Sequence, residues 1–224
     1  MDGNGRWAKQ RHHPRTFGHI AGVKGAKSIM LAARDCGVAF LTLYTFSMEN
    51  WGRPPTEVSF LMQLIERYFK KERDFLIQEG VRVCGMGDLS PVPSATQRMI
   101  HETEKLTEHN RAIQVNLAFS YSGRKEILDA CAKACKALPP EQEEELASYL
   151  YLPDIPDPEL LIRTGGEQRL SNFMLWQIAY TELYFTDTLW PDFTPEKFKE
   201  ALVWYAGRIR KFGKVIPEVT QDLP

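Results

Sequence analysis

Apolar residues recur along this chain with two alternating spacings, one typical of helices and the other of buried strands. Over residues 22–36 they fall three or four positions apart, which predicts a helix that Gly37 ends in a left-handed conformation. Over residues 38–46 the apolar residues are almost continuous. That second pattern predicts a strand buried on both faces, as in a parallel sheet.

The same alternation continues through the rest of the chain. A long helix is predicted over residues 55–79, and a third helix over residues 94–110, where Ser94 and Gln97 have the spacing of a capping box. Further strands are predicted over residues 81–86, 112–119, 160–163 and 182–185. The remaining predicted helices run from Ser122 to Pro139-Pro140, within residues 141–150, and from Thr194-Pro195 onward. Strands separated by helices favour right-handed crossovers, and so a parallel sheet with helices on both faces.

The composition is that of an ordinary globular protein and favours one domain over residues 1–224. The chain has 224 residues, of which 43% are hydrophobic and 25% are charged. No apolar run approaches the length of a membrane span, and Met1 leads into a polar motif rather than a signal peptide, so we expect a cytosolic protein. The four cysteines contain no Cys-x-x-Cys pair, which favours buried thiols over disulfides or a metal site.

Charge is segregated along the chain although the net charge is only −1. Residues 3–34 contain many basic residues and no acidic one, whereas the acidic residues between positions 139 and 161 have no basic partner. The basic residues of the first stretch are Arg6, Lys9, Arg11, Arg15, Lys24, Lys27 and Arg34. Such segregation suits a site for a small polyanion better than a nucleic-acid surface, which usually makes a whole domain basic.

The first eight residues place one carboxylate, two glycines and a cation within five positions. Gly3 and Gly5 allow backbone N–H groups to approach a ligand closely, and a helix that starts after them would point unpaired N–H groups at an anion. Asp2 fits such a site only if a cation cancels its charge, and Mg²⁺ commonly binds one or two carboxylates together with substrate phosphate oxygens. The alternative interpretation is a simple Asp-Gly-Asn-Gly turn.

Polar motifs follow three of the predicted strands, at residues 47–53, 121–124 and 163–171. Ligands of parallel sheets bind at this carboxyl edge of the strands. In the third motif Arg163 and Arg169 flank a Gly-Gly pair and Ser171 follows, so that two guanidinium groups and a hydroxyl could bind a diphosphate. Surface arginines in a turn are the alternative.

Several segments together resemble the successive signatures of the cis-prenyltransferase family, with its bacterial members nearest. They occur in the family's order from Asp2 to about Gly213, which makes the resemblance far more specific than one glycine-rich loop. The segments are Asp2-Gly-Asn-Gly-Arg-Trp-Ala8, Phe17-Gly-His19, Thr42-Leu-Tyr44, Glu49-Asn-Trp51 with Arg53-Pro54, Ile162-Arg-Thr-Gly-Gly-Glu167, Ser171-Asn-Phe173, Leu175-Trp-Gln177 and Glu182-Leu-Tyr-Phe185.

The resemblance implies an α/β fold with a central parallel sheet of about six strands in a homodimer. It implies Mg²⁺-dependent, repeated addition of isopentenyl diphosphate to an allylic diphosphate such as farnesyl diphosphate, giving a Z-polyprenyl diphosphate of undecaprenyl length. The family has an apolar strand just before Asp-Gly-Asn-Gly, and because only Met1 precedes this motif here, we expect the sheet to lack that strand. We expect no nucleic-acid partner and a transient contact with the membrane surface for product release.

The resemblance also implies a role for each matching residue. Asp2 is expected to be the catalytic carboxylate linked to Mg²⁺, with Glu182 as a second metal ligand. The expected allylic diphosphate site comprises Gly3, Asn4, Gly5, Arg6, Trp7, Arg15 and His19. The expected isopentenyl diphosphate site comprises Arg163, Arg169 and Ser171. The loop between the sites is expected to order the substrates through Ser47, Glu49, Asn50, Trp51 and Arg53, with Asn50 assisting proton removal.

Each assignment has a purely structural alternative. His19 could be a satisfied structural histidine, Trp51 could pack beneath its loop, Asn50 could only form a turn, and Glu182 could pair with an arginine. The apolar face of the helix over residues 55–79 could form a wall for the growing hydrocarbon chain or could be ordinary core.

Two other functional classes fit the sequence less well. A non-catalytic partner subunit of a two-subunit cis-prenyltransferase typically lacks the Asp-Gly-Asn-Gly carboxylate and the Arg-Thr-Gly-Gly arginines, and this chain keeps both. A generic nucleotide-binding protein would show Gly-x-Gly-x-x-Gly or Gly-x-x-x-x-Gly-Lys-Ser/Thr, and neither occurs.

The basic C-terminal segment resembles a family segment that reaches the partner subunit. Where the family has Arg-x-Gly, this chain has Lys211-Phe212-Gly213, which keeps the charge and loses the two-pronged geometry. The nearby cations Arg208, Arg210 and Lys214 exceed any obvious need within one chain, so we expect this tail to complete the partner's site.

Overall fold

The computed structural model of the protein describes residues 1–137 and 142–210. Its α-helices are α1 (Asn4–Gln10), α2 (Arg15–Asp35), α3 (Pro55–Gln78), α4 (Ser94–Thr107), α5 (Gly123–Ala137), α6 (Glu143–Ala147) and α7 (Pro195–Ala206). Its strands are β1 (Phe40–Ser47), β2 (Val81–Met86), β3 (Ile113–Tyr121), β4 (Leu160–Arg163) and β5 (Glu182–Phe185). Two short 3₁₀ helices cover Met48–Gly52 and Trp190–Asp192. The α/β alternation predicted from the sequence is confirmed.

The described strands form two parallel sheets. One has the order β1-β3-β2 and the other pairs β4 with β5, so the described residues contain five strands rather than about six. Strand β1 is therefore an edge strand of its sheet. Leu43 and Phe46 are buried, whereas Phe40 is 40% exposed, so the prediction that this strand is buried on both faces was wrong. Without a neighbour on its second edge, β1 lacks the packing that a central strand receives.

Helix α2 begins seven residues before the predicted start, at Arg15 instead of position 22. The added turns contain Gly18, and a Cβ built there would lie 2.0 Å from the backbone oxygen of Asn4. A glycine in a helix interior normally lowers helix propensity, which hid these turns from a sequence argument. Here the missing side chain lets α1 and α2 pack in close contact.

The predicted cap of α4 was wrong, whereas that of α5 is confirmed. Pro93 precedes α4 in the capping position, and Gln97 donates a side-chain hydrogen bond to the Val92 carbonyl at 2.7 Å. Ser122 accepts a hydrogen bond from the Lys125 N–H group at 3.3 Å in the first turn of α5. The predicted helix end at Pro139-Pro140, and residue 141 of the acidic segment, lie outside the described residues.

The main hydrophobic core lies between the larger sheet and the helices α2, α3 and α4. It contains Ile29, Leu61, Phe69, Val83, Ile100 and Phe119, among others. The four cysteines are free thiols, of which Cys36 and Cys135 are exposed and Cys84 and Cys131 are only partly buried, so the prediction of buried thiols was wrong. None of the helices in the described part of the chain is long and apolar enough to cross a membrane.

Candidate active site

The backbone of Asp2 is fixed where the N-terminal segment meets β4 and the second 3₁₀ helix. The Asp2 N–H donates to Thr164 Oγ1 at 3.0 Å, and the Trp190 N–H donates to the Asp2 carbonyl at 2.9 Å. Gly3 then has φ +106° and immediately precedes α1. This left-handed conformation favours glycine, and a Cβ on Gly3 would also lie 2.8 Å from Leu189. The predicted helix is present, but it begins at Asn4, so only Gly3 precedes it and Gly5 lies within its first turn.

The Asp2 carboxylate lies among cationic side chains. Its Oδ2 accepts a hydrogen bond from Arg163 at 3.0 Å, and its Oδ1 lies 3.6 Å from an Arg6 nitrogen. Its Oδ1 also accepts from the Gly3 N–H at 2.6 Å. Partial burial alone would raise the pKa of Asp2, but these contacts, with Arg163 foremost, lower it below its ordinary value. Asp2 is therefore an ionised carboxylate at neutral pH.

Arg163 connects Asp2 to the loop that follows β4. Its guanidinium donates to Ser171 Oγ at 2.9 Å and to the backbone carbonyl of Arg169. The Arg163 side chain is only 13% exposed, whereas that of Arg169 is 62% exposed and pairs with Glu167. The structure therefore brings together Arg163, Ser171 and Asp2, and leaves the Arg169 guanidinium at the rim.

A second cationic cluster surrounds Glu57 in the first turn of α3. Its carboxylate lies 3.6 Å from Arg15, 3.5 Å from His19 Nε2 and 3.1 Å from Arg53. The Arg15 guanidinium also covers Gly5, where a Cβ would lie 3.2 Å from its central carbon. Burial foremost, with the nearby Arg53 charge, lowers the pKa of His19 below its ordinary value of 6.5 in spite of Glu57. His19 is thus a neutral, largely buried imidazole at pH 7.

The loop between the clusters is a 3₁₀ helix with its own internal support. The Ser47 N–H donates to Asn50 Oδ1 at 3.2 Å, so Asn50 does stabilise a turn. Trp51 donates to Ser120 Oγ at 3.1 Å and its ring packs against Phe46, so this side chain packs beneath the loop as the structural alternative proposed. Only the polar groups of this loop are thus left to face a ligand.

Two residues predicted for the allylic site, Asn4 and Trp7, have side chains that are directed away from it. Asn4 Oδ1 is directed at α2, where a Cβ on Gly22 would lie 2.1 Å from it. Trp7 donates to Asp192 at 2.6 Å and stacks on Phe17. Both side chains therefore hold α1 in place.

Glu182 lies apart from Asp2 within this chain. It pairs with Leu160 at the start of β4, whereas Arg163 beside Asp2 pairs with Phe185 at the other end of the two-stranded sheet. The Glu182 carboxylate accepts a hydrogen bond from Arg208 at 3.1 Å. Arg208 therefore has a partner within its own chain, contrary to the expectation from the sequence, while positions 211–214 lie outside the described residues.

The residues around Asp2 fit a magnesium ion held mainly by the substrate. Asp2 is a partly exposed carboxylate set among cations that can bind diphosphate. The described residues contain no group of three or more metal-ligating His, Cys, Asp or Glu side chains. Mg²⁺ commonly binds through one or two carboxylates together with substrate phosphates, and this set of donors suits that mode.

One cavity of about 1210 Å³ joins the polar groups to an apolar region. Its polar lining includes Asp2, His19, Arg53, Arg163 and Ser171, and its apolar lining includes Ile29, Leu43, Leu61, Met86, Leu161 and Phe193. Leu61 is the α3 residue that lines the cavity, whereas Met62, Phe69 and Leu76 are buried in the core. The apolar face of α3 is therefore mostly ordinary core, and strands supply much of the apolar wall.

Sequence reasoning missed three residues that organise this site. Thr164 fixes the backbone of Asp2, Glu57 holds the second cluster, and Asn172 ties Ser171 to neighbouring loops. Asn172 is part of the Ser171-Asn-Phe173 signature, but the resemblance implied no role for it. Nothing in the local sequence shows that Thr164 contacts a residue 162 positions away.

Comparisons with known proteins show which family this chain belongs to. A family model described as "Putative undecaprenyl diphosphate synthase" matches residues 1–213. The chain is 47% identical over 219 residues to an isoprenyl transferase of Aquifex aeolicus, covering 97% of this chain and 95% of that protein. It is 45% identical over 222 residues to an isoprenyl transferase of Prochlorococcus marinus, covering 96% of this chain and 82% of that protein.

Two solved structures share the fold. Lavandulyl diphosphate synthase from Lavandula x intermedia, in complex with dimethylallyl diphosphate, has a TM-score of 0.91 and 35% identity, covering 96% of this chain and 95% of its own. A probable undecaprenyl diphosphate synthase from Campylobacter jejuni has a TM-score of 0.81 and 36% identity, covering 87% and 92% respectively. The resemblance deduced from the ordered motifs is confirmed.

Proposed function

The chain belongs to the undecaprenyl diphosphate synthase family of prenyltransferases, and on that premise we propose that it condenses isopentenyl diphosphate repeatedly onto an allylic diphosphate. Farnesyl diphosphate is the proposed starter, and a Z-polyprenyl diphosphate of undecaprenyl length is the proposed product. The alternative, a non-catalytic partner subunit, is not favoured, because the carboxylate and arginines that such subunits lack meet here in one site.

One observation carries this proposal. Arg163, beside Asp2, and Arg53, beside Glu57, line the same cavity and belong to the two cationic clusters. Guanidinium groups bind phosphate oxygens through paired hydrogen bonds, so each cluster favours an anionic ligand of that kind. Two such clusters on one cavity support one diphosphate at each.

The geometry suggests how the two diphosphates are used. The allylic C–O bond breaks as diphosphate leaves, so groups that bind the departing diphosphate more strongly as its charge grows lower the barrier. The first-turn N–H groups of α1, with Arg6, Arg15 and His19, would bind this leaving group. Arg163, Ser171 and Arg169 would hold isopentenyl diphosphate with its double bond toward the allylic carbon, and the apolar cavity wall would take up the growing chain.

Magnesium would be held by Asp2 and by diphosphate oxygens. When bound, it neutralises charge on the leaving diphosphate. Arg163 already contacts the Asp2 carboxylate, so the same guanidinium would orient Asp2 toward the space between the two diphosphates. The loop residues Asn50 and Arg53 line this cavity and would order the substrates there.

We further propose a homodimer and a transient contact with the membrane surface. Exposed apolar side chains near β5 and on α7 support a protein partner, and they include Tyr180, Leu183 and Val203. A product with a long hydrocarbon chain must also leave the cavity without entering water, which supports release at a lipid surface.

An incubation of the purified protein with labelled isopentenyl diphosphate tests the activity. We expect labelled polyprenyl diphosphate to form with farnesyl diphosphate and Mg²⁺, and chain sizing to give the product length. Parallel reactions with shorter allylic starters, and with a chelator, test starter preference and metal dependence. No label in lipid under any of these conditions would refute the proposal.

A further inference from the structure

Asn172 makes four hydrogen bonds that join three parts of the site. Its carbonyl accepts from the Gly123 N–H at 2.8 Å, and its Oδ1 accepts from the Arg124 N–H at 2.9 Å. Its Nδ2 donates to Ser122 Oγ at 2.7 Å and to Glu49 Oε1 at 2.9 Å. One side chain thus connects the start of α5, the loop after β1 and the segment that carries Ser171.

The first backbone N–H groups of α5 have hydrogen-bond acceptors within the protein. The N–H groups of Gly123, Arg124 and Lys125 are taken by Asn172 and by Ser122 Oγ. They are therefore not free for an anion, although the sequence places residues 121–124 at the carboxyl edge of the sheet. The conformation of Asn172, with φ +64°, is one that asparagine tolerates better than most residues.

The contact with Glu49 has a different consequence. Glu49 lies in the first turn of the 3₁₀ helix that ends next to Arg53, and Arg53 contacts Glu57 between Arg15 and His19. On the other side, Asn172 follows Ser171, whose hydroxyl accepts from Arg163. The Glu49–Asn172 hydrogen bond therefore joins the proposed allylic cluster to the proposed isopentenyl diphosphate cluster.

We propose that Glu49 and Asn172 are positioning residues whose hydrogen bond couples the binding of the two diphosphates. This inference rests on the proposed function. It changes the role expected for Glu49, because the carboxylate is engaged by Asn172 and supports the loop instead of binding substrate. A ligand that orders either cluster fixes the loop and so favours binding at the other.

The charge of Glu49 agrees with this role. Partial burial alone would raise the pKa of Glu49. Hydrogen bonds, from Asn172 foremost and also from the backbone and from Ser47, instead lower it below its ordinary value. Glu49 is therefore an ionised acceptor at neutral pH, and hydrogen bonds to charged groups are stronger than neutral ones.

The substitution Asn172→Asp breaks this link selectively. The new carboxylate can still accept from the Arg124 N–H and from a reoriented Ser122 hydroxyl, so the start of α5 stays capped. It faces the Glu49 carboxylate, however, and cannot donate to it. Glu49→Gln is the matched control, because its amide oxygen still accepts from Asn172.

The double variant Glu49→Gln/Asn172→Asp restores a hydrogen bond of reversed polarity, from the new amide to the new carboxylate. Any uniform repulsion of diphosphate by the carboxylate at position 172 is present in both the single and the double variant. Recovery of the coupling in the double variant would therefore show that the hydrogen bond between positions 49 and 172 is responsible for it.

The experiment is calorimetric titration with isopentenyl diphosphate, with and without a saturating unreactive allylic thiolodiphosphate. The ratio of the two dissociation constants measures coupling, and uniform repulsion cancels in it. We expect the coupling in Asn172→Asp to be about tenfold smaller than in the wild type, which corresponds to the loss of a hydrogen bond to a charged group. We expect Glu49→Gln and the double variant to retain the wild-type coupling.

The outcomes separate the two claims. Binding of both ligands by the wild type with unchanged coupling in Asn172→Asp overturns the positioning role and leaves the proposed function intact. Absence of recovery in the double variant also overturns it. A wild type that binds neither diphosphate refutes the proposed function and this inference with it.

Discussion

Arg163 and Asp2 are in direct contact, with a guanidinium nitrogen 3.0 Å from the carboxylate Oδ2, although 161 positions separate them in the sequence. The contact joins the end of β4 to the N-terminal segment that leads into α1. It places the cation proposed for isopentenyl diphosphate against the carboxylate proposed for Mg²⁺. Arg163 therefore belongs to both halves of the site, which decides how its loss should differ from that of Arg169.

The substitution Asp2→Asn should leave the protein folded and lower the Mg²⁺-dependent rate at least about a hundredfold, as for other groups that stabilise transition-state charge. Asparagine keeps the shape of the side chain and can still accept from the Gly3 N–H. Steady-state kinetics, with circular dichroism as the control for folding, measure the effect. A folded variant with nearly normal turnover would contradict the metal role.

Replacing Arg163 or Arg169 by alanine should give different patterns of loss. Arg169→Ala removes a rim cation, so it should raise KM for isopentenyl diphosphate and leave the allylic KM nearly unchanged. Arg163→Ala should also lower kcat, because it removes the partner of Asp2. The sequence alone predicted a selective effect on isopentenyl diphosphate for both arginines. KM and kcat with each substrate varied in turn give the test, and identical profiles for the two variants would argue against it.

His19 should make stability depend on pH. Its pKa in the folded protein is lowered below 6.5, so the unfolded chain takes up a proton at a higher pH than the folded chain does. The contribution of this group to the free energy of unfolding is therefore at its maximum above about pH 6.5, and it decreases as the pH falls toward and through the folded pKa. Urea denaturation between pH 7.5 and pH 5 should show a shallower decrease for His19→Gln than for the wild type. Parallel curves would show that His19 is not responsible.

A mixing experiment tests the proposed homodimer and its tail. A chain that ends at residue 210 and a full-length Asp2→Ala chain should each be inactive alone. A mixed dimer should recover part of the activity, because one of its two sites would combine an intact Asp2 with a partner's tail. A monomer at assay concentration in analytical ultracentrifugation, or confirmed mixed dimers without activity, would be incompatible with the proposal.

The elements of the fold were largely predictable, because the apolar period changes clearly between helices and strands. Position 55 as the start of α3 and residues 81–86 as β2 agree with the structure. The early turns of α2 were missed since Gly18 serves a close helix contact that only the tertiary structure shows. The division into two sheets was not predictable either, because strand pairing depends on contacts far apart in the sequence.

Contacts between residues of the same sequence motif could be predicted. Arg163 and Ser171 lie in one segment, and the structure brings them together as expected. The links between motifs were not predictable. The Glu49–Asn172 hydrogen bond spans 123 positions, and the indole of Trp51 is held by Ser120 at 69 positions. Local sequence cannot distinguish a side chain that supports a loop from one that faces a ligand.

The geometry of the newly formed double bond is the most direct measurement of the proposed activity. The purified protein, a stereochemically pure allylic starter, Mg²⁺ and ¹³C-labelled isopentenyl diphosphate are incubated, and the product is analysed by mass spectrometry and NMR. We predict mass increments of whole isoprene units, with every added unit in the Z configuration. Added units in the E configuration, or no added units with a folded protein that binds both diphosphates, would contradict cis-prenyl transfer.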